Sequence, residues 1–152
     1  MCALNEGLPV RPLGNSRALR YITGMAAAQP AMLNAKAIRE AAEADFEFIN
    51  AARFWNAVIA IDTGPERYVL EMKDGCIARF ELDRSGGSRH DLLIAAPSES
   101  WAEFLKPAPR PFFHDLFAAM SREGFVLEGN SHEWGPYYPA LRRFFEIVRR
   151  AS

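Results

Sequence analysis

The sequence predicts an α+β fold, an antiparallel meander of strands whose apolar face is covered by helices. Two observations carry this prediction. Three runs of β-branched and aromatic residues between Phe54 and Leu82 are joined by short turns. Before and after them lie segments whose apolar residues recur near every 3.6 positions.

The elements follow in order. Residues 1–33 hold Pro9, Pro12, Gly14, Gly24 and Pro30 with one short apolar stripe, Leu19, Ile22 and Met25. They read as an N-terminal extension, partly ordered or packed on a single domain over 34–152, with one short helix. Arg11, Arg17 and Arg20 give the extension a basic cast, but Glu6 and the prolines break a transit-peptide pattern. Asn34 is suited to cap a helix whose apolar stripe is Ile38, Ala41, Ala42, Phe46 and Ile49.

Strands are predicted over Phe54–Ile61, Tyr68–Met72, Ile77–Leu82 and Asp91–Ala95, with an Asp-Gly hairpin turn at Lys73-Asp74-Gly75. A helix bearing Trp101 follows, started by Ser98 or by a capping box of Ser100 with Glu103. Pro107, Pro109 and Pro111 end it in a stiff elbow. A phenylalanine-rich helix over Phe112–Met120, a glycine-bounded strand over Gly124–Gly129 and a closing amphipathic helix from Trp134 to Val148 complete the chain.

Bulk properties narrow the function. At 152 residues the chain can bury roughly 70% of its extended surface, enough to fold without disulfides or metal. A net charge of −1 leaves no Lys and Arg surplus for nucleic acid. Two distant cysteines, Cys2 and Cys76, form no disulfide framework and fit a reducing cytoplasm. No apolar run reaches the ~20 residues that cross a bilayer.

The chemistry-bearing residues do not assemble into a known motif. His90-Asp91, His114-Asp115 and His132-Glu133 are neighbour pairs, which diverge on helices and strands and so make no metal site alone. No Gly-x-Ser-x-Gly elbow or phosphate loop is present, and Cys76 beside an Asp-Gly turn lacks the surroundings of a reactive thiol. Asp62 and Asp115 read first as a turn former and a solvated helix position. Arg142, Arg143, Arg149 and Arg150 make the last helix a basic amphipathic one, read chiefly as complementing the helix dipole and secondarily as a transient contact with an anionic membrane.

What remains is an excess of aromatic residues. The phenylalanine helix carries Phe112, Phe113, Leu116, Phe117 and Met120, and the last helix carries Trp134, Tyr137, Tyr138, Leu141, Phe144, Phe145 and Val148. Much of this is ordinary core, but so many rings are hard to satisfy against one small sheet, and part of each stripe is expected to line a cavity.

The order of elements resembles the sterol carrier protein type 2 family of lipid-binding domains over about two-thirds of the chain. The residues that carry the likeness are the meander Val58–Ile61, Tyr68–Met72 and Ile77–Leu82, the strand Asp91–Ala95 leading into Ser98-Glu-Ser-Trp101, and Gly124-Phe-Val-Leu-Glu-Gly129-Asn130 before the closing helix. The resemblance implies a mostly antiparallel five-stranded sheet covered on one face by helices. It also implies an apolar cavity between the layers for a sterol, fatty acid, acyl-CoA or steroid-like lipid, with no cofactor and no covalent chemistry. Asn130, where the family usually has Asp, and the proline elbow depart from the pattern.

The expected activity is therefore non-catalytic binding or transfer of an apolar small molecule, with Trp101, Phe104, Phe113, Leu116, Phe117, Met120, Tyr137, Tyr138 and Leu141 as its walls. Two alternatives stand beside it. One is a cofactor-free isomerase or cyclase with Asp62, Asp115 or His114 as base in an aromatic pocket. The other is a scaffold or accessory domain whose apolar helices dock to a larger enzyme or to a second copy.

Overall fold

The structure, a computed structural model, describes Met32 to Ala151. The helix expected around Leu19, Ile22 and Met25 lies outside the described residues. The elements run α1 (Ala35–Glu43), α2 (Phe46–Ala51), β1 (Ala57–Asp62), β2 (Arg67–Lys73), β3 (Cys76–Leu82), β4 (Leu92–Ala95), α3 (Ser98–Phe104), α4 (Leu116–Arg122), β5 (Val126–Gly129), α5 (Ser131–Trp134), a 3-10 turn (Gly135–Tyr137) and α6 (Tyr138–Ala151). The architecture is α+β, with a five-stranded, mostly antiparallel sheet packed against helices.

The sheet order is β3-β2-β1-β4-β5. The meander forms as the alternation requires: β1 pairs antiparallel with β2 and β2 with β3, while β4 lies parallel to β1 and β5 antiparallel to β4. Asp74 and Gly75 both take positive φ, 49° and 80°, the conformation of a two-residue hairpin turn matched to strand twist. One sheet face presents Ile59, Ile61, Tyr68, Leu70, Met72, Phe80, Leu92 and Ile94 to a continuous core.

Against this face α6 packs with α1 and α2. It buries Ala140, Leu141, Phe144, Phe145, Ile147 and Val148, a stripe at helical spacing. The Phe144 ring meets Phe80 edge-on at 5.5 Å and Phe48 at 6.0 Å, which ties sheet, α2 and α6 together.

The first helix differs from the continuous one predicted. It stops at Glu43, and Asp45 starts α2 by accepting the Phe48 backbone N–H at 2.8 Å. The break turns the second helix, so Phe48 enters the core while Phe46 and Ile49 remain exposed; Ala41 on α1 is exposed too. Arg143 of α6 clamps the break, donating through Nε and Nη2 to both Asp45 oxygens at 3.0 and 2.8 Å. That bidentate bond and the capping bond to Phe48 hold the Asp45 carboxyl below its usual range.

Three further boundaries move. The first strand begins at Ala57, not Phe54, because Ala52–Phe54 turns the chain out of α2 and Phe54 takes a φ of 68°. The Ser100–Glu103 capping box does not form. Ser98 is the first helical residue, Ser100 Oγ donates to the Glu123 carbonyl, and Glu103 accepts from Lys106 Nζ and the Arg110 backbone N–H. The closing helix is interrupted at Gly135-Pro136, where a 3-10 turn separates α5 from α6.

Candidate functional site

The two aromatic stripes meet where α3, α4 and α6 converge, and the structure divides their residues into two groups. Trp101 and Phe104 belong to a closed ring cluster. Trp101 lies 4.8 Å from Phe125 and 5.7 Å from both Phe104 and Phe145, and Phe104 lies 5.0 Å from Phe125. Trp101 Nε1 donates to the Asp62 carbonyl at 2.8 Å, which pins α3 to the end of β1. Much of the aromatic excess is thus absorbed by ring-on-ring packing.

A half-buried cation closes this cluster. The Arg149 guanidinium stands 4.4 Å over the Phe104 ring and donates to the carbonyls of Phe104 and Phe113 at 2.7 and 2.9 Å. Burial pulls its pKa down, and the two carbonyls and the ring face replace lost water. Arg143 is likewise spent inside the fold, on Asp45, Glu47 and Glu146. Two of the four arginines of the last helix therefore serve packing.

The second group surrounds α4. This helix starts four residues later than predicted. Phe112 takes a φ of 73° in the elbow, and Asp115 caps Leu116–Arg122 by accepting from the Phe117 and Ala118 backbone N–H groups. Phe113, Leu116 and Ala119 turn inward and are buried, as is Leu141 of α6. Phe117 and Met120, one turn apart on the adjoining flank of the helix, are each 41% exposed.

Around them stands a set of large, amphipathic rings. Tyr138 stacks on Phe117 at 4.1 Å, Trp134 approaches Phe117 at 6.0 Å, and Tyr137 stacks on Trp55 at 5.1 Å. The Tyr138 hydroxyl donates to Asp115 Oδ1 at 2.8 Å and accepts the Phe117 N–H at 3.2 Å. Burial, followed by the Asp115 carboxylate, pushes this phenol well above its ordinary range, so it stays a hydroxyl. Tyr138, Phe117 and Trp134 make an aromatic corner in which the Tyr138 hydroxyl is satisfied by Asp115 and the Phe117 N–H.

The candidate bases have structural partners. Asp115 Oδ1 holds the α4 N-terminus and Tyr138, Asp62 Oδ1 accepts the Gly64 N–H in a turn, and His114 is exposed. Among the described residues no group of three His, Cys, Asp or Glu is placed to hold a metal. No described helix is long and apolar enough to cross a membrane.

Trp134 was the residue whose importance sequence reasoning understated. It stood in the stripe of the last helix but not among the expected walls, and it sits instead on α5, at a corner next to β4. Asn130 creates that corner. It caps α5 by accepting the His132 N–H, and its amide donates to Glu133 Oε1 at 2.8 Å, a bond that the Asp usual in the resembling family could not make.

No family model matches the sequence, and no curated protein matches it. Solved structures do match, and they match sterol carrier protein 2 domains. The crystal structure of sterol carrier protein 2 aligns with a TM-score of 0.65 at 20% identity, covering 78% of this chain and 95% of that one. The solution structure of a conserved hypothetical protein from Thermus thermophilus, described as "possibly sterol carrier protein", aligns with a TM-score of 0.59 at 20% identity, covering 78% and 85%. A ubiquinone synthesis protein described as UbiJ-SCP2 aligns with a TM-score of 0.50 at 8% identity, covering 75% and 90%. The chain is similar to sterol carrier protein 2 domains over about three-quarters of its length and has their fold.

Proposed function

We propose, from this sterol carrier protein 2 fold, that the protein binds an apolar small molecule of the lipid class without transforming it. The observation that carries the reading is the pair Phe117 and Met120, large apolar side chains one helical turn apart and each 41% exposed, of which Phe117 packs on Tyr138 and Trp134. Exposed single hydrophobes need no explanation, but here two lie one helical turn apart and one of them, Phe117, stacks on Tyr138. Met120 adds an unbranched, polarisable side chain that adapts to differing ligand shapes.

In this reading Phe117, Met120, Tyr137 and Tyr138 touch the ligand. Phe113, Leu116 and Leu141 back them from the core, and Trp101 and Phe104 fix the frame on which α4 rests. Each ångström squared of ligand surface taken from water contributes about 25 cal/mol. The Tyr138 hydroxyl, held by Asp115, is already satisfied and acts as a wall, not as a base. A catalytic reading would make Asp115 the base, and its carboxylate is committed to the α4 cap and to Tyr138.

The test is binding of the neutral fluorescent probe 1-N-phenylnaphthylamine to the full chain. Phe117→Asp places a charge at the centre of the apolar corner and is expected to weaken probe binding by about tenfold or more while circular dichroism and the melting temperature stay near wild type. Undiminished probe binding in the folded variant would remove Phe117 from the site and with it the α4 corner.

A further inference from the structure

Among the described residues the three most exposed large apolar side chains are Phe46 at 80%, Phe54 at 67% and Ile49 at 47%, and all three lie on α2 or the turn that ends it. Phe46 and Ile49 stand three positions apart and share a helix face. Arg53 follows Ile49 by four positions, across the αR cap residue Ala52, and its guanidinium lies 4.7 Å over the Phe54 ring. The three apolar side chains leave roughly 350 Å² of surface in water. That is the size of the largest apolar patch on a typical monomer, a patch that is often functional.

Phe54 does not point outward by default. It takes a φ of 68°, a left-handed conformation that a bulky residue rarely adopts and that Gly or Asn adopts more cheaply. The β2–β3 hairpin imposes it. Gly75 N–H donates to the Trp55 carbonyl at 3.0 Å and the Asn56 amide donates to the Phe54 carbonyl at 3.1 Å. The approach is so close that a Cβ on Gly75 would stand 2.8 Å from the Ala52 carbonyl oxygen. The fold thus holds an aromatic ring in solvent against backbone strain, and strain of this kind gathers at functional surfaces.

We propose that this face binds a second copy of the chain, α2 against α2, antiparallel about a two-fold axis. A two-fold interface must be complementary to itself, because what one copy presents at one end the other must receive there. The stripe Phe46, Ile49, Arg53 meets that demand. Its order is aromatic, aliphatic, cation, so antiparallel pairing lays each Arg53 on the partner's Phe46 with the two Ile49 side chains between them. Arg53 already takes the face of Phe54, and in the dimer its guanidinium is sandwiched between Phe54 and the partner's Phe46. Aromatic and arginine side chains are the residue types that dominate interface energies. The apolar areas of two copies, with a polar rim, come to about 1,000 Å², enough for a reversible dimer and short of a permanent one. Charge selects the same occupant. Glu43 and Glu47 stand on either side of Phe46 in the chain with side chains 48% and 71% exposed, which an anionic bilayer would repel. In the two-fold pairing these carboxylates approach the partner's Arg53 instead. The proposal does not rest on the lipid-binding reading, which concerns α4.

Sedimentation equilibrium of the full chain measures its mass as the concentration rises from about 5 µM to about 1 mM. The mass should climb from one chain toward two, with a dissociation constant on the order of 100 µM for so small an interface. Phe46→Ser and Arg53→Glu, both at exposed positions, are each expected to raise that constant about tenfold or more with the melting temperature unchanged. Phe54→Asn removes the ring and relieves the left-handed strain. It is expected to weaken the dimer about tenfold while the melting temperature at about 5 µM, where the chain is monomeric, stays level or rises. A mass of one chain at every concentration, or a dimer that Phe46→Ser and Arg53→Glu leave intact, overturns the proposal. A one-chain mass together with binding to phosphatidylglycerol vesicles that Phe46→Ser abolishes would overturn it too, and would give the face to a membrane.

Discussion

Trp101→Ala should destabilise the fold by about 4 kcal/mol and lower the melting temperature by about 10 °C. Trp101 is fully buried and touches three other rings, those of Phe104, Phe125 and Phe145. Truncation removes the transfer free energy of the indole. It also leaves a void that Phe125 and Phe145 cannot close without breaking their own packing. The indole N–H is lost as well, so the Asp62 carbonyl keeps only the longer bond from the Ala96 N–H at 3.3 Å.

Trp101→Phe separates the two contributions. It retains most of the ring area and should cost about 1–2 kcal/mol, from one hydrogen bond and a smaller void. Urea titrations of both variants measure the difference. A cost under about 1 kcal/mol for Trp101→Ala would mean that the cluster repacks freely and that α3 is not anchored to β1 through this residue.

Gly129→Ala is the second large effect. Gly129 pairs with Leu92 across the β4–β5 ladder at a φ of 152°, and a Cβ there would stand 2.3 Å from the Asp91 carbonyl oxygen. Backbone atoms on a sheet cannot yield that distance cheaply, so β5 must shift or unpair. The expected cost is about 3 kcal/mol, with the urea midpoint falling and the slope little changed. Gly135→Ala is the internal control, since nothing lies within 4 Å of its Cβ position; it should be neutral to within about 0.5 kcal/mol. Comparable losses in the two variants would show that the contact at Asp91 is not what constrains Gly129. The same close approach brings Asp91 next to the Asn130 cap, so β4–β5 pairing and the shape of the Trp134 corner depend on one glycine.

Local chemistry was the part of this fold that could be read from residues. The Asp74-Gly75 hairpin follows from residues that tolerate positive φ between two apolar runs, and it sets the pairing of Lys73 with Cys76 and Met72 with Ile77; a bulge between Glu71 and Met72, which the turn does not announce, shifts the rest by one residue. What was misplaced shows where local signals compete. Asp45 and Asp115 each sit inside an apolar periodicity that suggests a continuing helix, but both are N-caps. An Asp before a helical run satisfies two orphan N–H groups or one, and that gain outweighs continuing the helix. Gly135-Pro136 carried its own breaker signal.

Other features depend on the tertiary structure alone. Nothing in β4 states that it lies parallel to β1, since the all-apolar run Leu92–Ala95 fits either direction. The division of the aromatic excess was hidden for a similar reason. Phe104 and Phe117 look alike along the chain, yet one closes a ring cluster under Arg149 while the other stays 41% exposed beside Tyr138. Helix phase distinguishes them only once the start of α4 is known to be Leu116.

Native mass spectrometry of the full chain, purified without detergent or organic solvent, tests lipid binding most directly. A lipid carrier should give a second charge-state series heavier by the mass of one lipid, lost on mild collisional activation and absent from Phe117→Asp. A single ligand-free series, unchanged after incubation with dodecan-1-ol and identical in wild type and Phe117→Asp, would contradict it.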